Sequence, residues 1–232
     1  MNSFRERESA SACGSGPRLE PFGYACHRCL RCCSHTTIQV NPYEVARLAR
    51  KLDQTTTDFR VVWTREAAGT TLKQTDAGAC VFLGGEGCTV YSDRPLACRL
   101  YPLARHVGPD GTERFSHLEP RPQSAGQFTA DASIADYVEK QGAEPFIIAS
   151  DAYFFWLCAA SDYLESQADA ASADQPPEDV VAATELLDMD LAISRHCNST
   201  GVAEPDAIDD RMRLHLQILY QHINSTQGRT AS

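Results

Sequence analysis

The chain has 232 residues, of which 43% are hydrophobic and 22% charged, proportions that are ordinary for a folded globular protein. Its formal net charge of -10 argues against general binding to nucleic acid or to anionic membrane surfaces. The longest apolar run, AYFFWLCAA at 152–160, is far shorter than the roughly 20 residues that a membrane-spanning helix needs. We therefore predict neither a nucleic-acid partner nor a membrane partner.

The first residues, MNSFRERESASACGSGPRLEP, are small and polar, and they contain no apolar stretch of the kind found in a signal peptide. This pattern predicts a disordered N-terminal segment over residues 1–23, with Cys13 as a bystander. It also predicts a cytoplasmic location, where the reducing environment keeps thiols free.

A cysteine-rich unit follows, and we predict that it spans residues 24–122. NPYEVARLARKLD reads as a helix, because Asn41 can cap it, Pro42 suits its first turn and Glu44 stands where a capping box needs it. TDFRVVWTREA predicts a second short helix, and TTLKQT and CVFL predict short strands. RHVGPDGTERF predicts a hairpin around its Pro-Asp-Gly turn. Asp93 and Pro95 predict the start of a short helix that would carry Cys98.

Beyond EPRPQSAGQ, which reads as a linker, residues 123–232 form an acidic helical region. Three predicted helices start at acid–proline or proline–acid pairs: EPFIIASDAYFFWLCAASDYLES, PEDVVAATELLDMDLAISRHC and PDAIDDRMRLHLQILYQHIN. The fold class we predict is α+β, with a small cysteine-rich domain of short strands and helices followed by an α-helical C-terminal region. Cys158 and Cys197 read as small buried residues of these helices.

The charge is divided between these two regions. Residues 24–121 carry 13 Lys and Arg against 10 Asp and Glu, a balance of +3, whereas residues 122–232 carry 5 against 18, a balance of -13. The acidic region could dock on a basic protein partner, or it could simply be a solvated surface.

Seven of the ten cysteines lie within one stretch of the chain: Cys26, Cys29, Cys32, Cys33, Cys80, Cys88 and Cys98. Disulfides would require an oxidising compartment, and an odd number leaves one thiol over. Scattered structural cysteines are a second alternative, although CHRCLRCC places four cysteines in eight positions. The metal interpretation fits better, since a C-x2-C step lets two thiolates converge on one ion and a tetrahedral site takes four such donors.

Cys32 and Cys33 are adjacent, and neighbouring side chains diverge along an extended backbone. Either the two sulfurs reach two metals, or one of them is a ligand while the other packs. A site with three thiols could be completed by His27, His35, His106 or His117. Arg28 and Arg31 could moderate the charge of the thiolates, or they could belong to an ordinary solvated loop.

The motif continues with GACVFLGGEGCTVYSDRPLACRLYPL. Together with CHRCLRCC, this series resembles the YkgJ-like family of cysteine-cluster proteins, known as the CxxCxxCC zinc- or iron-chelating domain. The resemblance covers about residues 24–122. It rests on the cysteines and on these intervening residues: Gly78, Phe82, Leu83, Val90, Tyr91, Arg94, Pro95, Arg99, Tyr101 and Pro102.

The resemblance implies a metal ion or cluster held by the seven cysteines, which points to a structural or redox metal-binding protein. A flagellin lysine N-methylase resembles the family in its cysteine motif, which opens protein methyl transfer as an alternative. Thiol-rich ligation selects zinc or an iron–sulfur cluster. We expect the cluster, because three regularly stepped cysteines followed by distant ones resemble the motifs that enclose clusters. Arg94 and Arg99 could donate hydrogen bonds to the sulfurs, or they could pair with the acidic helices.

Overall fold

The computed structural model describes residues 18–67, 69–170 and 185–229. Most of the predicted disordered segment, including Cys13, lies outside these residues, as does 177–184 at the start of the second predicted C-terminal helix. The helices are α1 (Pro42–Lys51), α2 (Thr56–Trp63), α3 (Leu96–Leu100), α4 (Ile134–Lys140), α5 (Glu144–Ala170), α6 (Met189–Thr200) and α7 (Ile208–Arg229).

The strands are short and pair only as antiparallel two-stranded ribbons. They are β1 (Pro21–Ala25), β2 (Thr64–Ala67), β3 (Gly69–Leu72), β4 (Leu83–Gly84), β5 (Gly87–Cys88), β6 (Leu103–Val107), β7 (Glu113–His117) and β8 (Gln127–Ser133). The pairs are β1 with β8, β2 with β3, β4 with β5, and β6 with β7. The predicted α+β class is confirmed, although no pattern in the sequence predicted β8 within the helical region.

The helix predicted after the cysteine run is confirmed as α1, and its N-terminus has the expected capping box. The Asn41 side chain accepts the N–H of Glu44 at 3.0 Å, and the Glu44 carboxylate accepts the N–H of Asn41 at 2.9 Å. Pro42 takes the first helical position, where its missing N–H costs nothing.

The second predicted helix ends earlier than the sequence suggested. α2 stops at Trp63, and residues 64–67 instead pair with β3 in the order Thr64↔Leu72 to Ala67↔Gly69. Gly69 has φ +104°, a backbone conformation that favours glycine, so the chain can reverse there at little cost. The cross-strand hydrogen bonds of this hairpin outweigh the local preference for helix.

Two further local predictions are wrong. CVFL is mostly a turn, in which the N–H of Leu83 donates to the carbonyl of Cys80 at 2.9 Å, and only Leu83 enters a strand. Asp93 does not cap α3, whose N-cap residue is Pro95 with no side-chain bond. The Asp93 carboxylate is instead bound by Arg47 at 2.8 Å, an ion pair between distant parts of the chain that local sequence does not reveal.

The hairpin of β6 and β7 is confirmed, with Leu103↔His117 to Val107↔Glu113 in register. In its turn, the Asp110 carboxylate accepts the N–H of Thr112 at 3.0 Å. Two of the three predicted C-terminal helices appear as α5 and α7. The described part of the other one is interrupted: residues 185 and 186 are helical, the helix breaks at residues 187 and 188, and α6 begins at Met189, where Asp188 caps it with an extended backbone.

Three buried clusters hold the fold together, and α1 belongs to two of them. Tyr43 and Ala46 pack with residues of α5, α6 and α7, whereas Val45, Leu48 and Ala49 pack on the other side of the helix. This second side faces α2 and the segment that contains Cys80 and Cys88, both of which pack against it. α1 therefore connects the cysteine-rich unit to the C-terminal helices.

The third cluster lies between α3, the hairpin of β6 and β7, and α4. It contains Leu100 and Leu103 together with Phe22 of β1 and Ile147 of α5. Among the helices that the structure describes, none is both long enough and apolar enough to cross a membrane.

Candidate metal centre

The loop that contains the first four cysteines, residues 26–33, contains left-handed residues and a short 3₁₀ turn. Arg28 and Leu30 have left-handed φ values of 51° and 62°, and the N–H of Cys33 donates to the carbonyl of Leu30 at 3.1 Å. Arg31–Cys33 is a single 3₁₀ turn, so the expectation that an extended backbone separates the last two sulfurs is wrong. The thiols of Cys32 and Cys33 are close enough to act on each other's ionisation.

Backbone hydrogen bonds join this loop to the downstream half of the motif. The N–H of Cys80 donates to the carbonyl of Cys33 at 2.8 Å, and the N–H of His35 donates to the carbonyl of Gly78 at 2.7 Å. Gly78 has φ +77°, and a Cβ added there would lie 2.3 Å from the imidazole of His35. This close approach explains why a glycine precedes Cys80 in the motif.

Cys88 is positioned by the smallest ribbon of the fold. It lies opposite Leu83 across the pair of β4 and β5, and the loop between them is two residues long. The neighbouring side chains of Phe82 and Val90 are buried in the cluster around α2. A two-residue turn therefore separates two cysteine-bearing segments, and its flanks are fixed by burial.

Cys98 is positioned by α3. Its N–H donates to the carbonyl of Pro95 at 3.0 Å, which closes the first turn of the helix. The N–H of Leu96 donates to the Glu44 carboxylate at 2.7 Å, so this short helix is held by a side chain of α1.

Five of the seven motif thiols each interact through their charges with at least two others of the set: Cys32, Cys33, Cys80, Cys88 and Cys98. Cys98 is exposed at the surface of α3, but the protein atoms around its thiol still desolvate it and raise its pKa, and negative charge on Cys80, Cys88 and Cys32 raises it further. Burial also raises the pKa of Cys80 and of Cys88. Thiolates at this site therefore need a positive charge to compensate them.

The adjacent thiols of Cys32 and Cys33 differ in how readily they lose a proton. The interaction with the Cys33 thiol lowers the pKa of Cys32, against the opposing effect of burial. The same interaction raises the pKa of Cys33, as do burial and the negative charge of Cys32. Within the pair, Cys32 is therefore the thiol that ionises first.

Cys29 lies at the edge of this group, in a pocket formed by residues 124 and 125. Its sulfur accepts the N–H of Ala125 at 3.5 Å and lies 3.8 Å from the hydroxyl of Ser124. The hydrogen bond from Ala125 is the main cause that lowers the pKa of Cys29, to which the charge of Cys32 is a small opposing contribution. Ser124 and Ala125 carried no signal in the sequence, because nothing local indicates which sulfur they contact.

Cys26 acts on a group in α4. It is exposed, as Cys98 is, and its negative charge acts on Tyr137, whose pKa is raised first by burial and then by Cys26. The structure therefore brings five predicted site residues together, places Cys29 beside them and places Cys26 near Tyr137.

The chemistry of the donors fits a thiophilic metal. All nine cysteines that the structure describes are free thiols, and soft thiolate ligands select zinc or iron. In the described part of the chain, however, no group of three or more His, Cys, Asp or Glu side chains is arranged so that it could hold a metal ion. The five thiols are thus neighbours and not a preformed cage, so binding a metal would have to draw them together.

The arginines of the motif act mainly on backbone and aromatic groups. Arg99 is buried and donates to the carbonyls of Arg94 at 2.9 Å, Gln141 at 2.8 Å and Ser92 at 2.5 Å. Arg94 donates to the carbonyl of Tyr91 and to Gln141, but its charge still lowers the pKa of Cys88. Of the two, Arg94 is therefore the one that stabilises a thiolate.

The histidines that could have completed a site are engaged or exposed. His106 bonds the hydroxyl of Ser116 at 2.9 Å, and the His117 ring packs between those of Phe22 and Phe128. His35 lies against Gly78, and His27 is exposed in the cysteine loop.

The two cysteines of the C-terminal helices lie in different surroundings. Cys197 is buried in the cluster of α5, α6 and α7, as predicted, whereas Cys158 is only half-buried.

Residues 25–124 match a family model described as "CxxCxxCC: Putative zinc- or iron-chelating domain". No curated protein and no solved structure matches the chain. The similarity to a flagellin lysine N-methylase that the cysteine motif suggested is therefore not supported by these comparisons. The matched range ends at Ser124, so it includes all seven motif cysteines and one wall of the Cys29 pocket.

Proposed function

Since residues 25–124 form a domain of the CxxCxxCC zinc- or iron-chelating family, we propose that this chain holds an iron–sulfur cluster, in a structural or redox role. The observation that carries the proposal is the convergence of Cys32, Cys33, Cys80, Cys88 and Cys98. A closed zinc site uses four thiolates and leaves nothing over. An iron–sulfur cluster also takes four cysteines, and its motifs combine regularly stepped cysteines with distant ones, as this sequence does. The thiols beyond four leave room for more than one metal atom.

The residues that would hold the cluster come from three parts of the fold. Cys32 and Cys33 come from the 3₁₀ turn, and Cys98 comes from α3. Cys80 lies in the turn before β4, and Cys88 is the last residue of β5. When bound, such a cluster supplies one-electron redox chemistry, with a potential set by its charge, its hydrogen bonds and its exposure. Cys29 and Cys26 are candidate further ligands at the edge of the site.

Protein groups around the sulfurs would tune the centre. Backbone N–H groups of Phe82 and Val90 donate to the sulfurs of Cys80 and Cys88 and favour their ionised forms. Arg94 adds a positive charge near Cys88. Such surrounding donors control ligand basicity and redox potential in metal sites generally.

The proposal includes a reducing, cytoplasmic setting, because the cysteines must stay reduced to act as ligands. It includes three regions: a disordered segment over residues 1–23, the cysteine-rich domain over residues 24–122 and the acidic helical region over residues 123–232. It also allows a protein partner to bind the acidic helical region. It includes no nucleic-acid partner and no membrane partner. Protein methyl transfer is not proposed, since no contact in the site favours it.

The test is to purify the full chain without oxygen and to measure iron, zinc and acid-labile sulfide per chain. We expect brown protein that absorbs broadly near ~400 nm, contains iron and sulfide, and bleaches on reduction. A Cys158→Ser variant is the matched control, because this thiol belongs to a different part of the fold. Colourless protein with stoichiometric zinc and no sulfide would replace the cluster with a structural zinc site, and metal-free protein would refute both.

A further inference from the structure

The buried carboxylate of Glu44 joins the N-termini of two helices. Its Oε2 accepts the N–H of Asn41, which precedes α1, at 2.9 Å, and its Oε1 accepts the N–H of Leu96, the first residue of α3, at 2.7 Å. The residue is only 3% exposed. One side chain therefore closes the capping box of its own helix and also holds the start of another helix 52 residues away.

The C-terminal end of α3 is fixed by the buried side chains of Arg99 and Leu100, whereas its first turn has no side-chain cap. The helix has five residues, and its N-cap is Pro95, which makes no side-chain capping bond. A helix this short is not stable by itself, so its position must come from tertiary contacts. The Glu44 carboxylate supplies one at the end of α3 where the unpaired N–H groups lie.

The orientation of α3 decides where the Cys98 thiol lies. Cys98 follows Leu96 by two residues, and its sulfur is close enough to Cys80 and Cys88 for their charges to raise its pKa. Glu44, in contrast, lies on a helix fixed on both sides, since its neighbours Tyr43 and Val45 are buried in two different clusters. The hydrogen bond to Leu96 therefore ties the uncapped first turn of α3 to a helix that is fixed on both sides.

We propose that Glu44 is a positioning residue of the metal centre, which keeps Cys98 among the other thiols by holding the N–H of Leu96. The inference rests on the proposed function in one respect, because it takes Cys98 as a ligand. Glu44 holds the backbone of the helix that carries the ligand. Its negative charge is also a smaller cause that raises the pKa of Cys98, and Glu44→Asp keeps that charge.

The chain itself suggests a selective variant. α4 has the same capping box with an aspartate in the equivalent place, where Asp136 accepts the N–H of Ser133 at 2.9 Å. Glu44→Asp should therefore preserve the charge and the box on α1, while the shorter side chain loses Leu96. Asn41→Ala is the matched control. It removes the side-chain oxygen that accepts the N–H of Glu44, but it keeps the hydrogen bond between the Glu44 carboxylate and the N–H of Leu96.

The experiment uses the full-length, metal-loaded protein as purified. Alkylation of each cysteine by iodoacetamide is followed by mass spectrometry, and metal release to a chelator is followed in parallel. We expect Glu44→Asp to raise the alkylation rate of Cys98 roughly tenfold, as the loss of one charge-assisted hydrogen bond implies, and to speed metal release. Cys80 should keep its wild-type rate at early times, and Asn41→Ala should leave Cys98 protected.

Each other result has a defined meaning. An equal rise in alkylation rate at all motif cysteines would overturn the positioning role and leave only a general effect on stability. The same rise in the alkylation rate of Cys98 in Asn41→Ala would do so too. Metal retained in full by Cys98→Ser would overturn the inference but not the proposed function. Metal-free wild-type protein would refute the proposed function, and the inference with it. If Glu44→Asp fails to fold, Glu44→Gln replaces it, because the amide has one acceptor oxygen and cannot serve both N–H groups.

Discussion

The guanidinium carbon of Arg99 lies 3.9 Å from the centroid of the Phe146 ring. Arg99 follows the motif cysteine Cys98, and Phe146 lies in the first turns of α5, so this contact joins the cysteine-rich unit to the C-terminal helices. Arg47 of α1 approaches the same ring at 4.9 Å. Two arginines of the cysteine-rich unit therefore hold one buried aromatic ring of α5 between them.

Replacing this ring should weaken the whole molecule. We expect Phe146→Ala to lower the free energy of unfolding by about 3–5 kcal/mol, because it leaves a cavity and removes both cation–π contacts. Urea unfolding followed by circular dichroism measures the change. Phe155→Ala, on the same helix but half-buried, is the control and should cost clearly less. Equal losses in the two variants would show that the Arg99–Phe146 contact has no special weight.

The five converging thiols should be individually necessary. Cys80→Ser and Cys98→Ser should each reduce the metal bound per chain, because a serine hydroxyl does not replace a thiolate as a soft ligand. Metal analysis of protein purified without oxygen provides the measurement, and Cys158→Ser and Cys197→Ser should retain the wild-type content. Full metal content in a Cys80→Ser, Cys98→Ser double variant would contradict the assignment of these residues.

The outer cysteines provide a separate test. The charge of Cys32 acts on Cys29, and the charge of Cys26 acts on Tyr137. If both are ligands, as the sequence motif predicts, the double variant Cys26→Ser, Cys29→Ser should lose metal. Unchanged metal content in this variant would restrict the site to the five converging thiols.

Removal of the metal should lower thermal stability across the chain. Thiolates that interact without a cation repel one another, so part of the binding energy becomes folding energy. Because Tyr43 and Ala46 of α1 pack with α5, α6 and α7, the loss should reach the helices and appear as a lower melting temperature at 222 nm. If the melting curve stays the same after verified metal removal, the metal does not organise this domain.

His215 should make the helical region sensitive to acid. Its ring is fully buried and contacts the Tyr153 hydroxyl at 2.8 Å and the Leu186 carbonyl at 2.7 Å. Burial lowers its pKa from 6.5 to about 4, against smaller opposing effects of the Leu186 hydrogen bond and of Asp188 and Asp190. The folded state therefore keeps this imidazole neutral in a range of pH where the unfolded state protonates it.

The stability that His215 contributes is complete above pH 6.5 and is lost as the pH falls towards 4. The loss should amount to about 3 kcal/mol of unfolding free energy. Urea unfolding at a series of pH values should show this slope in wild type and in His106→Gln, whose imidazole is exposed. His215→Gln should lose it, and an unchanged slope in that variant would assign the acid sensitivity to other groups, including the thiolates.

Features set by neighbouring residues could be predicted from the sequence. The capping box of Asn41 and Glu44 and the turn at Pro109–Gly111 depend on contacts within a few residues, and both appear as expected. The cysteine spacing and the residues around it were also sufficient to predict the family of residues 25–124. The second helix was predicted too long, because residues 64–67 form cross-strand hydrogen bonds with β3 instead of continuing the helix.

The sequence by itself therefore determined that this is an α+β chain whose cysteine-rich region matches the model of a zinc- or iron-chelating domain, since motif and capping signals are local. Only the tertiary structure decided that the sulfur of Cys29 meets the N–H of Ala125, and that the second oxygen of Glu44 holds α3. It also decided that Arg99 serves backbone carbonyls and Phe146 instead of sulfur. These relationships join residues far apart in the chain, and they follow from how α1, α3 and α5 pack against one another, which no single segment specifies.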